Sequence, residues 1–208
     1  NFGGLLGTTN INTRASMYRK GGRITYSSSN RSYTNRAMAT YSSGLVDGGW
    51  AYSISIGRRW GDEGYQDATF YDANSFFASV EKKINDKHSI NFTGIFAPNR
   101  RGKSSPNTQE VYDLKDIRYN EYWGYQDNEK RNSRVKRTVE PILMLNHFWD
   151  INEKSSLNTS VGYQFGKIGN SRLDYPGGAN PSPAYYQKLP SYALRNFPEN
   201  PGIAYGLE

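Results

Sequence analysis

The chain has 208 residues, a formal net charge of +7 and no cysteine, which excludes disulfides and thiolate metal sites. Apolar residues make up only 36% and mean hydropathy is −0.82, too little for a large two-sided core, yet aromatic residues reach 14%, which argues against disorder. The longest apolar run, residues 142–145, falls far short of the roughly 18 residues of a membrane helix.

The opening, residues 1–22, lacks a basic, then apolar, then small-residue leader, so a secretion signal is expected upstream or already removed. From residue 23 the chain breaks into alternating segments. Trp50, Tyr52, Ile54 and Ile56 alternate with Ala51, Ser53, Ser55 and Gly57, the period of two that marks a strand. Phe76, Ala78 and Val80 alternate less cleanly with Ser75, Phe77, Ser79 and Glu81, and Ile90, Phe92, Gly94 and Phe96 stand against Asn91, Thr93 and Ile95. The last segment is the most regular: Leu157, Thr159, Val161, Tyr163 and Phe165 against Asn158, Ser160, Gly162, Gln164 and Gly166. One face is apolar or aromatic and the other small and polar. About seven strands are expected, at 23–29, 34–43, 50–60, 74–84, 89–97, 135–150 and 156–167.

The connections alternate in length. Tight turns are expected at Asp47-Gly48-Gly49, Asn85-Asp86-Lys87 and Asn152-Glu153-Lys154, all rich in turn formers. The other connections run over 61–71, 99–133 and everything after Arg172, while that at 29–33 is short and breaks the rule. A period-two face suits either a soluble sandwich with its apolar side inward or an outer-membrane barrel with that side toward lipid. Loops sorted short at one end and long at the other favour the barrel, all-β and antiparallel, with long extracellular loops. Bacterial single-chain barrels have an even number of strands, so seven do not close, and a larger polypeptide is expected.

The stretch Phe2-Gly3-Gly4-Leu5-Leu6-Gly7-Thr8-Thr9-Asn10-Ile11-Asn12-Thr13-Arg14 resembles the end of the plug domain in TonB-dependent outer-membrane receptors, with Thr9 where Val or Ile is usual. Residues 58–67, from Arg58-Arg59-Trp60-Gly61-Asp62 to Gln66-Asp67, are similar to the family's loop between its third and fourth strands, and Asn85-Asp86-Lys87-His88-Ser89-Ile90-Asn91 to the periplasmic hairpin that follows. The resemblance implies a plug end at 1–14, marked by Gly3, Gly4, Gly7 and Asn10, a connection at 15–22, and at 23–208 the first part of a transmembrane barrel of about 22 strands. It also implies the outer membrane of a Gram-negative bacterium, ligand import driven by the TonB complex through a region outside this chain, contact with outer-membrane lipid, and room for a surface lipoprotein.

Catalysis has little footing: no nucleophile motif, phosphate loop or zinc spacing occurs, and no cofactor is expected. His88 is expected in a turn and His147 near a strand end beside Trp149, where an interfacial or solvated role outweighs that of a general base. Asp62, Glu63 and Asp67 share one loop without any standard calcium spacing, so no metal site is assigned. The basic residues are scattered and form no nucleic-acid module. Arg100 and Arg101 with Tyr122, Trp123 and Tyr125, joined by Tyr185 and Tyr186, are candidate ligand contacts in the long loops; the same side chains suit packing of loop on loop. Trp50, Trp60 and Trp149, near strand ends, are expected in aromatic girdles, and Gly162 and Gly166 to allow curvature or close approach of a plug. Three functions follow in order: a transport receptor; a structural or assembly component reusing that fold; and a soluble carbohydrate-binding β-sandwich.

Overall fold

The computed structural model describes residue 7 and residues 11–205. Of the plug-end residues, Gly3, Gly4 and Asn10 lie outside the described residues, while Gly7 is exposed with φ +93°. The fold is all-β and antiparallel. β1 (Gly21–Ser28), β2 (Asn35–Val46), β3 (Trp50–Gly61), β4 (Tyr71–Lys83) and β5 (His88–Phe96) follow one another as hydrogen-bonded neighbours. β6 (Asn99–Gly102) extends β5; β9 (Val135–Val139) and β10 (Ile142–Asn152) form the next path, and β11 (Ser155–Gln164) and β12 (Lys167–Asn170) the last.

These short pieces belong to seven continuous paths. The pairings Phe76 with Phe96 and Tyr71 with Arg101 share one register, as do Ile142 with Gln164 and Lys167 with Val139. The interruptions fall at Pro98, Pro141 and Gly166, at neighbouring heights. Proline has no N–H for the ladder. Gly166 stands at φ +124°, and a Cβ there would lie 1.9 Å from the Val139 carbonyl oxygen, so the chain bends where only glycine fits. Gly162 has nothing within 4 Å of such a Cβ, and what Gly166 approaches is Val139 and Glu140 of the adjacent strand path rather than the N-terminal segment.

The short hairpins form as their residues dictate. At the β2–β3 turn Gly48 and Gly49 take φ of +77° and +74°, and a Cβ on Gly49 would meet the Lys83 carbonyl oxygen at 2.6 Å. Just before it β2 bulges between Ser42 and Leu45, with Gly44 at φ +63° and the Ser43 hydroxyl accepting the Tyr52 N–H at 2.9 Å.

The burial is inverted relative to a soluble sheet. Ile24, Tyr41, Trp50, Tyr52, Ile54, Ile56, Phe92, Leu145 and Val161 share one face by register and are all exposed, Ile24 at 87% and Val161 at 66%. Buried instead are Ala51, Ser53, Ser79, Glu81, Asn91 and Thr93, on the opposite face. No second sheet covers the apolar face among the described residues; the remaining sheet is the hairpin of β7 (Trp123–Gln126) and β8 (Glu129–Asn132).

The long connections hold more structure than a period-two reading detects. Residues 103–134 carry α1 (Gln109–Leu114), started by the Thr108 hydroxyl as N-cap, and the β7–β8 hairpin. That hairpin turns on Asp127 and Asn128 at φ of +53° and +64°, which Asp and Asn tolerate better than most residues. After β12, α2 (Pro190–Asn196) begins on a proline at its first position, where no N–H is required. Strand 135–150 was expected unbroken, but Pro141 divides its hydrogen bonding, and His88, expected in a turn, opens β5 opposite Trp149.

Candidate functional site

The buried polar face is a seat for the N-terminal segment. A single 3-10 turn at Ala15–Met17 lies against it, and Ala15 is fully buried. β4 and β5 carry the groups that hold it, because every second residue of each strand faces this side. Arg14 Nε donates to Glu81 Oε1 at 2.7 Å and its Nη2 to the Ser89 hydroxyl at 2.8 Å, while its guanidinium lies 4.3 Å from the centre of the Phe148 ring. The Ser16 N–H donates to the other Glu81 oxygen at 2.9 Å, so both carboxylate oxygens are used. The Ala15 N–H donates to Asn91 Oδ1 at 3.1 Å, and the Ser79 hydroxyl donates to the Thr13 carbonyl oxygen at 2.6 Å. Asn91 Nδ2 then donates to Thr93 Oγ1 at 2.9 Å, and no buried side-chain polar atom among the described residues lacks a partner. Buried polar groups are stable only when so satisfied.

A second cluster joins the three long connections. Asn120, 1% exposed, accepts from the N–H groups of Ser105 and Tyr122 and donates to the carbonyl oxygens of Asp67 and Lys103. Asn132 donates to the Ala68 and Lys103 carbonyl oxygens. Glu121 accepts from the Ser182 hydroxyl and the Ala184 N–H, and Glu110 from the Ser191 N–H and hydroxyl, so both carboxylates bind the last connection to the one before it. Glu63 accepts the Ala68 N–H and pairs with Lys130 at 2.9 Å. Its pKa is lowered from the ordinary carboxylate value, chiefly by the Ala68 N–H, with burial opposing and Lys130 adding to the shift. The Tyr119 hydroxyl is raised by burial and then by the charge of Glu121.

The candidate ligand residues make several small contacts. Trp123 and Tyr125 meet edge to face at 5.8 Å on the β7–β8 hairpin, with Lys130 4.6 Å from the Trp123 ring centre. Tyr122 is covered by the Arg134 guanidinium at 5.1 Å. Tyr185 and Tyr186 pack at 4.8 Å with Tyr192 beyond them, and the Tyr185 hydroxyl is raised chiefly by its hydrogen bond with Tyr186. Arg100 lies over Phe70 at 4.7 Å on β6, whereas Arg101, its chain neighbour, points to the opposite face. The structure therefore brings Trp123, Tyr125 and Lys130 together and packs Tyr185 on Tyr186, while Glu121 ties the last connection to the segment that carries Tyr122 and Trp123.

Trp50, Trp60 and Trp149 all lie on the apolar face, the first and last toward the short turns and Trp60 toward the long connections. His88 stacks between His147 at 5.3 Å and Trp149 at 5.4 Å, and His88 Nδ1 is 3.1 Å from His147 Nε2. Asp62, Glu63 and Asp67 do not converge: Glu63 turns to Lys130 and Asp67 lies 3.9 Å from Arg118. Sequence reasoning missed the Arg14, Glu81 and Asn91 seat. Its one signal was a glutamate on the same face of a strand as Ser75, Phe77 and Ser79. Searches against family models, curated proteins and solved structures each return no match.

Proposed function

We propose that this chain is the end of the plug and the first part of the barrel of an outer-membrane transport receptor. Such a receptor captures a scarce extracellular ligand and imports it with energy from a TonB complex. The observation that carries the reading is the inverted burial: an exposed apolar face, and a small polar face buried under residues 13–16. In water that arrangement leaves the larger hydrophobic area unburied; in a bilayer the same face meets acyl chains and the polar face lines the interior.

The spacing of the aromatic ends supports it. Trp50 and Trp60 are ten residues apart on β3, about 33 Å along a strand. A tilt of about 40° reduces that to about 25 Å, the height of the apolar band of outer-membrane barrels. The seat of Arg14 is what a plug end leading into the first strands requires, and the tied long connections form one surface at the opposite end from the short turns.

A structural or assembly role within an outer-membrane complex is the second reading. It is favoured by one observation: Glu110, Glu121 and Asn120 spend their hydrogen bonds joining loops to each other. Intact mass of the native protein extracted from its source membranes tests the fold part of the proposal. A detergent-soluble species several times heavier than 23.6 kDa is expected. A water-soluble species of 23.6 kDa overturns it. Loss of uptake of one extracellular nutrient on deletion, restored by the intact gene, separates transport from assembly.

A further inference from the structure

The register stacks the apolar face into rows, and the rows change character abruptly toward the long connections. Phe76, Phe96 and Phe165 share one row, the first two stacked at 6.1 Å, and Phe165 is matched by its N–H to the Pro141 carbonyl oxygen. One row further along, about 7 Å up the strands, stand Arg58 and Lys167. In the next are Arg100 and Arg137, directly opposite each other across β6 and β9. All four are exposed and on the same side of the sheet as the exposed apolar residues.

Like charges directly opposite on one face of a sheet are destabilising. One acid, Asp72, stands in the row; it pairs with Arg58 at 3.5 Å and neighbours Arg100 in register. Arg100, Arg137 and Lys167 have no ion pair among the described residues, so four cations share one carboxylate. Arg100 lies over the Phe70 ring, which holds its guanidinium on the apolar side rather than over the small-residue face. Residues 13–16 dock on the other side of the sheet, against Ser79, Glu81, Ser89 and Asn91.

We propose that Arg58, Arg100, Arg137 and Lys167 form a binding site for the phosphate of an anionic membrane lipid, whose acyl chains lie on the aromatic row beneath. The inference rests on the membrane-receptor reading above. Guanidinium groups bind phosphate oxygens in pairs, which suits two arginines a strand spacing apart. The aromatic row directly below gives the acyl chains an interfacial support, so the site recognises an amphiphile rather than a free ion.

The test is native mass spectrometry of the full-length protein in a neutral maltoside detergent, titrated with phosphatidic acid or with diacylglycerol of the same acyl chains. Variants are Arg100→Gln/Arg137→Gln and, as control, Arg101→Gln/Lys136→Gln, an equal loss of charge on the opposite face. Each basic residue near a lipid surface contributes about fivefold, so the first double variant is expected to bind phosphatidic acid about 25-fold more weakly. The control is expected to bind as the unaltered protein does, and diacylglycerol to bind weakly to all. Equal loss in both double variants, or in neither, overturns the site. Displacement of the lipid by millimolar inorganic phosphate also overturns it, as that marks a free-anion site. A protein that carries no detergent belt in any variant overturns the receptor reading itself, and is distinguished by its mass.

Discussion

Glu81 is the residue on which the small-residue face turns. It is 1% exposed and its two oxygens are divided between the Arg14 guanidinium and the Ser16 N–H. Removing one partner from a buried pair leaves an uncompensated charge, which costs more than the pair contributes. Arg14→Ala is therefore expected to destabilise the docked segment by about 3 kcal/mol, read as earlier denaturant-induced release of residues 11–20 in hydrogen exchange. Unchanged exchange at Ala15 and Ser16 would show that the segment is held by its backbone contacts alone. Two glycines of the last strand path, Gly162 and Gly166, make a paired comparison. Gly166→Ala forces a Cβ into the Val139 carbonyl at a φ that L-residues avoid, and is expected to cost at least about 2 kcal/mol. Gly162→Ala meets open space and is expected within about 0.5 kcal/mol of the parent. Equal melting shifts for the two would sink the account of the bend.

Among the elements, the β7–β8 hairpin depends on ties from outside itself, because four-residue strands in an isolated pair have little stability of their own. Lys130 joins it to Glu63 and Asn132 joins it to the Ala68 carbonyl oxygen. The Glu63 carboxyl is depressed in the folded state, so its contribution is present above the ordinary carboxylate pKa and is lost as pH falls through the lower folded value. The pair is half exposed, which limits the effect to less than about 1 kcal/mol. Protease cleavage within 123–132 is expected to stay constant from neutral to mildly acidic pH and to rise below the carboxylate range. Glu63→Gln should flatten that rise; if it persists in the variant, another group governs the hairpin. Asn120→Ala removes a buried side chain that serves two N–H groups and two carbonyl oxygens. It is expected to loosen residues 103–134 by about 2 kcal/mol while leaving β1 to β5 protected.

At the scale of the whole molecule, one substitution separates the membrane reading from any soluble one. Ile54 sits midway along β3 on the apolar face and is half exposed. In a bilayer, Ile54→Arg is expected to cost about 2–4 kcal/mol by unfolding titration in lipid vesicles. In water, a charge at so exposed a site changes stability by less than about 0.5 kcal/mol. A near-neutral result in vesicles would remove the main support for the proposed function. Ser160→Arg, on the opposite face of β11, is the matching control and is expected to be tolerated, since that face is polar and open there.

Strand positions, the antiparallel meander and the identity of the two faces were legible in the sequence, because period two and turn-forming residues are local properties that each strand carries by itself. The strand at 135–150 read as unbroken although Pro141 divides it, and the fall of Pro98, Pro141 and Gly166 at neighbouring heights was not legible, since register is a relation between strands. The interior of 99–133 read as loop, because α1 and the β7–β8 hairpin are short and are held by contacts from Ala68 and Lys103, distant in sequence. The candidate aromatic and basic residues were named from their side chains, but which of them touch was not legible, for nothing local tells Arg100 that it will lie over Phe70. Which face is buried was left open between lipid and core by alternation alone. Only the tertiary structure decided that the small polar face is covered, by bringing Arg14 and Ala15 to Glu81 and Asn91 across more than sixty residues of chain.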